Sequence, residues 1–418
     1  MSEKKTVPSL RFSGFVDNWK QHKLGDITDS YSGGTPTAGK SEYYGGSIPF
    51  IRSAEVNSDT TEMFITDEGL KSSSAKMVKK GDILYALYGA TSGEVGLARL
   101  NGAINQAILD IKPHEDNDAP FLAQWLRKSK ESIIGTYLQG GQGNLSGTIV
   151  TSLIVDCPDY NEQKKVGNFF DSLENLIALH QRKYDVLVKT KKAMLQKMFP
   201  RNGAKVPEIR FAGFTGDWEQ RKLGDTFDFL QNNTLSRADL NAEVGVARNV
   251  HYGDVLIRFG EYLNASEATL PYIPSQQIAD KFKGSLLQDG DVIMADTAED
   301  ETVGKCTEIA EIQDFPTISG LHTIPLRPTA KFAPGYLGYY MNSCSYHNQL
   351  LPLMQGIKVT SVSKSAILNT DISFPADSDE QAQIGGIFIR LDTLITLHLQ
   401  KYEKLKHLKQ SLLEKMFV

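Results

Sequence analysis

Two segments of this 418-residue chain occur twice, and that repetition limits the fold more than any other feature. Residues 8–26, "PSLRFSGFVDNWKQHKLGD", return at 207–225 as "PEIRFAGFTGDWEQRKLGD", with 11 of 19 positions identical and an offset of 199. Residues 161–199 return at 379–417 with 17 of 39 identical and an offset of 218, so the second intervening stretch is 19 residues longer. Each half therefore has a short opening motif, a long variable middle and a closing segment. A chain built this way predicts two similar frames carrying different inserts.

The closing segments read as helices because one apolar stripe runs through each at 3,4 spacing. In the first copy the stripe is Phe170, Leu173, Ile177, His180, Tyr184, Leu187, Lys191, Met194 and Met198. The second repeats it as Phe388, Leu391, Ile395, His398, Tyr402, Leu405, Lys409, Leu412 and Met416. Asn161 and Asp379 are suitable N-caps, Pro158 and Pro375 lie just outside, and "PRNG" at 200–203 ends the first helix. Two single-stripe helices satisfy themselves by pairing, and a pseudo-two-fold relation between copies makes the pair antiparallel. His180 and His398 are lone histidines among apolar neighbours, which favours packed, hydrogen-bonded rings over catalysis or metal binding. Lys191 and Lys409, near the helix ends, suit snorkelling or fixing of register.

The middles are α+β in character. The runs "GDILYALYG" (81–89) and "GDVIMAD" (290–296) are β-prone and hold matching places, while "APFLAQWLRKSKESII" and "PGYLGYYMNSCSYHNQLL" suit helices. The composition, 40% apolar and 23% charged, is that of globular domains. The start carries charges of both signs and no run of 18 apolar residues occurs, so neither secretion nor membrane insertion is indicated and a cytoplasmic protein is expected. Cys157, Cys306 and Cys344 are scattered, which argues against disulfides and structural zinc. "GGTPTAGKS" from Gly33 has P-loop spelling, but its mechanism needs a buried strand before it and a helix from Lys40-Ser41. "DITDSYS" is polar for a buried strand, and Gly45, Gly46 and Pro49 stand where helix should follow, so a surface loop is expected.

The openings R-F-x-G-F-x-x-x-W…K-L-G-D, the G-D-[IV] strands and the closings E-Q-x-x-[IV]-G…L-x-x-L-I-x-L-H…K-Y…K-M-F together resemble the DNA-specificity subunit of type I restriction-modification systems, over essentially the whole chain. The resemblance implies an α+β fold with two globular target-recognition domains in pseudo-two-fold arrangement, separated by a pair of long antiparallel coiled-coil helices. The expected boundaries are 1–160 and 200–378 for the domains, and 161–199 and 379–418 for the helices. Each domain is expected to read one half of a split site on double-stranded DNA, with the helices as spacer and platform for two methyltransferase subunits. Restriction and translocase subunits are expected to join in the full complex. S-adenosylmethionine, and ATP and Mg for restriction, belong to those partners, and this chain is expected to bind no cofactor or metal and to be no enzyme. Methyl transfer to base nitrogens uses [DNS]-P-P-[YF], and the chain contains no Pro-Pro; G-x-S-x-G and H-E-x-x-H are also absent.

Candidate DNA-binding side chains sit in the polar loops: Thr35, Lys40, Tyr43, Tyr44, Gln142 and Asn144 in the first middle, and Asn232, Asn233, Arg237, Lys358, Thr360 and Lys364 in the second. Net charge is −3 over 1–161, +4 over 162–199, −8 over 200–379 and +2 over 380–418, so weak DNA affinity of the chain alone is expected. Asp296, Glu299, Asp300 and Glu301 form an acidic cluster better read as a solvated loop than a cation site. The alternatives weighed are a coiled-coil adaptor that leaves DNA untouched and a nucleotide hydrolase. The stripe from Phe170 to Met198 spans 29 residues, about 42 Å at about 1.5 Å per residue, which suggests half-site centres about 10 to 11 base pairs apart.

Overall fold

The computed structural model describes residues 7–138, 144–201, 203–313 and 315–418. The chain forms two compact units that do not follow its linear order. The first unit combines the chain up to Gln181 with Gln400–Val418, and the second is Arg182–Leu399. Each long helix, Tyr160–Lys197 and Ser378–Met416, is thus divided between units near its middle, where the sequence suggested separate spacer segments.

In the first unit a four-stranded antiparallel sheet has the order Thr28–Ser32, Ile108–Pro113, Ile83–Ala86, Val95–Leu97. Alternation along its central strand sends Ile83 and Tyr85 to one core, with Phe121, Leu122 and Leu126 of the helix Ala119–Tyr137. Leu84 and Ala86 go to another, with Ile51, Val56 and Ile104. A second sheet, Phe64–Ile65, Tyr44–Ile51, Gly102–Ile104, Lys76–Val78, lies beyond this second core. The second unit repeats the frame in a five-stranded sheet: Phe227–Phe229, Thr323–Pro328, Val292–Ala295, Cys306–Ala310, and an added parallel strand Tyr262–Asn264. That strand and the helix Tyr252–Ile257 belong to the longer insert.

The repeated motifs close each middle into a ring. Strand Lys20–Lys23 pairs antiparallel with Ile154–Cys157, and Glu219–Lys222 with Asp371–Phe374, so opening and closing segments of one half are neighbours. Arg11 grips Glu162 with two hydrogen bonds of 2.6 and 2.7 Å, and Arg210 grips Glu380 at 2.7 and 2.8 Å. Both glutamates are buried, so loss of either arginine leaves an uncompensated charge at a cost of about 3–5 kcal/mol. The adjacent glutamines act alike. Gln163 accepts from Asp118 N and donates to Pro158 O, while Gln381 accepts from Ala333 N and donates to Pro375 O. In the G-D-[IV] turns, Gly81 (φ 98°) and Gly290 (φ 89°) supply left-handed backbone, and Asp82 and Asp291 accept from Lys79 N and Gln288 N at 2.8 Å.

Inside each unit, the first half of one long helix runs antiparallel to the last half of the other. In the first unit Phe170 lies 5.9 Å from Phe417, and Lys409 pairs with Glu174, which also accepts from Arg127 Nη1 at 2.6 Å. In the second, Phe388 stacks on Phe199 at 5.9 Å and Lys191 pairs with Asp392 at 2.6 Å and Glu261 at 2.7 Å. Lys191 and Lys409 therefore make fixed ion pairs. Burial would raise the Glu174 pKa, but Arg127 and Lys409 outweigh it and hold the carboxyl below its ordinary value. Of the stripe, Phe170, Leu173, Met198, Phe388, Leu391 and Met416 are buried, and the positions between, including His180 and His398, are half-buried.

Two expectations need correction. The helices are capped by Asp159, which accepts from Asn161 N and Glu162 N, and by Asp377, which accepts from Asp379 N, so Asn161 and Asp379 already lie inside. "PGYLGYYMNSCSYHNQLL" breaks into Tyr336–Asn342 and Cys344–His347, because Ser343 is extended and Asn342 turns its amide to the backbone of Cys306.

Phe417→Ala should destabilise the first unit by about 3–5 kcal/mol and lower hydrogen-exchange protection of Ile83–Ala86 and Ala119–Tyr137. Phe199→Ala should do the same to Val292–Ala295 and Tyr336–Asn342. Equal loss over both sheets in either variant would contradict this division of the core.

Candidate nucleic-acid interface

At one end of each central sheet, four segments from distant parts of the chain lie side by side. In the first unit Gly33 N donates to Ile108 O and Gly34 N to Ile104 O, Leu87 N donates to Ala107 O, and Leu145 N donates to Leu87 O. The order is thus 33–34, 104–108, 87–88, 144–145. In the second unit Asn233 N donates to Ser319 O, Asp296 N to His322 O, and Val362 N to Asp296 O, giving 232–233, 319–322, 296–297, 361–362. Short bridges repeat as well: Tyr88 pairs with Asn144, and Thr297 with Ser361. The frame is shared, and the side chains it displays differ.

The P-loop spelling resolves here. Ser41–Tyr43 is a single 3-10 turn that runs straight into the strand Tyr44–Ile51, so no helix follows Lys40. A Cβ on Gly33 would lie 1.9 Å from Ile104 O, and one on Gly34 2.6 Å from Ser74 Cβ, so these glycines serve close backbone approach. Thr35 donates to Gln106 at 2.5 Å, Tyr44 to Pro36 O at 2.7 Å, and exposed Lys40 to the Tyr43 hydroxyl at 3.0 Å. That last hydrogen bond raises the Lys40 pKa and lowers that of Tyr43. Lys40 thus remains a charged, oriented donor. Asn144 is exposed beside Tyr88, and Gln142 lies outside the described residues.

In the second unit Asn232 donates to Gly320 O at 3.2 Å, Lys364 donates to Leu230 O at 3.3 Å, Thr360 is half-buried opposite Ala298, and Lys358 is exposed. Asn233 does not belong with them. It is 1% exposed, donates to Asn249 at 2.6 Å and Ser319 O at 2.9 Å, and accepts from Leu235 N, so it is a turn-building core residue. Arg237 is half-exposed and paired with Asp254 at 2.6 Å.

The sequence reading missed His322 and Tyr252. His322 has φ 53°, a left-handed backbone that non-glycine residues adopt rarely and that clusters at functional sites. Its Nδ1 lies 3.3 Å from Asp296 and its ring is edge-on to Tyr252 at 5.2 Å. No local pattern in "GLHT" signals a left-handed histidine. The acidic cluster is dispersed in the same way: Asp296 faces His322, while Asp300 accepts from Thr302 N at 2.9 Å. Among the described residues no group of His, Cys, Asp and Glu is placed to hold a metal ion, and no helix is long and apolar enough to cross a membrane.

A family model described as the type I restriction modification DNA specificity domain matches residues 16–189 and again 215–407. The chain belongs to that family. Each match takes in one variable middle and most of one long helix, so the specificity domain is present twice. The specificity subunit of the type I restriction enzyme MjaVIII from Methanocaldococcus jannaschii is 22% identical over 412 residues, covering 95% of this chain and 91% of that one. The EcoR124I/EcoR124II specificity subunit of Escherichia coli is 25% identical over 196 residues, 42% of this chain and 48% of that one. The crystal structure of the S subunit of a type I restriction-modification system from M. genitalium shares the fold, with a TM-score of 0.57 and 14% identity over 99% of both chains. In this specificity subunit the paired segment arrays belong to its two target-recognition domains and carry different side chains on matching backbone frames.

Asn233→Ala should lower stability by about 1–3 kcal/mol by orphaning Leu235 N and Asn249 Oδ1. Asn232→Ala should change it by no more than about 0.5 kcal/mol. Thermal unfolding of the two variants checks the assignment, and equal shifts would return Asn233 to the surface.

Proposed function

We propose that each array reads one half of a bipartite DNA site, and that the long helices set the spacing and dock two copies of a methyltransferase subunit. The observation that carries the reading is one backbone frame displayed twice with different polar side chains. Thr35 and Asn144 lie at the first array, with Lys40 on the loop that leaves it, and Asn232, His322, Thr360 and Lys364 lie at the second. Base edges are discriminated by such donors and acceptors on a rigid scaffold, while lysine and arginine meet phosphate.

Two equal docking surfaces are supported by exposed leucines at matching positions. Leu176 and Leu179 in the first unit correspond, at the repeat offset of 218, to Leu394 and Leu397 in the second. Exposed apolar residues recurring in both copies of a helix suit the same partner surface twice. The chain itself performs no chemistry in this reading; S-adenosylmethionine, and ATP and Mg for restriction, act on the partner subunits. Net charges of −3 over residues 1–161 and −8 over 200–379 limit phosphate neutralisation by this chain, so partners supply much of the nonspecific affinity.

Exchange of residues 28–158 for the equivalent segment of another family member tests the reading. The assembled complex should then methylate a site with one new half and one unchanged half. A change in both halves together, or in neither, would contradict modular reading.

A further inference from the structure

Arg237 and Arg258 converge on one carboxylate oxygen. Arg237 Nη2 donates to Asp254 Oδ1 at 2.6 Å and Arg258 Nη1 to the same atom at 3.1 Å. Asp254 is 1% exposed, whereas the arginine side chains are 51% and 49% exposed. The second oxygen, Oδ2, is buried with no hydrogen-bond partner among the described residues. One guanidinium suffices to neutralise a buried carboxylate. A second one leaves a net positive charge at the surface, within a segment whose overall charge is −8. Each guanidinium also carries five N–H donors. Of these, among the described residues, Arg237 uses one and Arg258 two, its second reaching Thr269 O at 3.4 Å. Two forks are therefore held in place while most of their donors remain open to solvent.

The pair adjoins the second array. Asp254 lies in the helix Tyr252–Ile257, whose first residue packs against His322 at 5.2 Å, and Arg237 shares its loop with Asn232. We propose that Arg237 and Arg258, positioned by Asp254, clamp a backbone phosphate of DNA at the edge of the second array; this rests on the DNA-reading function above. Guanidinium forks match phosphate oxygens bidentately, and such contacts fix the register of a reading surface without selecting bases. The clamp gives an acidic domain a local anion site.

The test measures affinity of the full chain, alone and assembled with methyltransferase subunits, for a cognate and a scrambled duplex between about 50 and 200 mM salt. The variant D254N/R237Q/R258Q removes both cations without leaving a buried charge unpaired. It should bind both duplexes more weakly by the same factor, with a log–log salt slope shallower by about 0.9, the value for one phosphate contact. D254N alone should keep the wild-type slope. R258Q alone, which leaves Arg237 on Asp254, should shift the slope by about 0.9 and carries the test if the triple variant fails to fold. An unchanged slope in R258Q and the triple variant, or loss confined to the cognate duplex, would overturn the clamp. Wild-type protein that binds neither duplex would overturn the DNA reading and the clamp with it.

Discussion

Phe417 lies 5.1 Å from Phe121, 5.9 Å from Phe170 and 6.2 Å from Trp19, in a core that, Leu413 and Met416 apart, comes from the opposite end of the sequence. Phe199 does the same for the second unit, against Phe388, Trp218 and Tyr340. Each compact unit is therefore incomplete without the last turns of the other half's helix. Aromatic packing of this kind contributes several kcal/mol per ring, enough to decide whether a domain of marginal stability folds. The division of each long helix between units, the ion pairs at Glu174 and Asp392, and the half-buried stripe all follow from where these two phenylalanines insert.

Around that constraint the chain separates what must stay the same from what is allowed to differ. The bidentate pairs Arg11–Glu162 and Arg210–Glu380 and the bridging Gln163 and Gln381 are repeated residue for residue, and the strands that close each ring are repeated in register. These contacts are buried and geometrically strict, so substitution is costly. The loops on the sheet ends meet solvent and are joined by backbone hydrogen bonds, which, Gly33 and Gly34 apart, leave the side chains free to vary. A reading surface can change there without disturbing the core. That is the physical basis for one frame carrying two unlike arrays.

Most of the frame was legible in the sequence because it is written in repetition and 3,4 spacing. The helix starts were misplaced because Asn161 and Asp379 are good caps by residue type, whereas Asp159 and Asp377 have the geometry. Of the candidate interface, the loops were found but not all of their residues. Asn233 looked like a surface amide and proved to be a buried turn builder. His322 and Arg258 carried no local signal, since a left-handed histidine and a shared carboxylate arise only when segments far apart in sequence meet.

We propose that the two arrays read DNA independently and that the helices set the spacing between the half-sites. Base-resolution sequencing of DNA methylated by the assembled complex tests it most directly. Two short specified blocks separated by a constant run of unread bases, with centres about one helical turn apart, or about 10 to 11 base pairs, are predicted. A single uninterrupted recognition sequence, or blocks separated by a variable gap, would contradict the account.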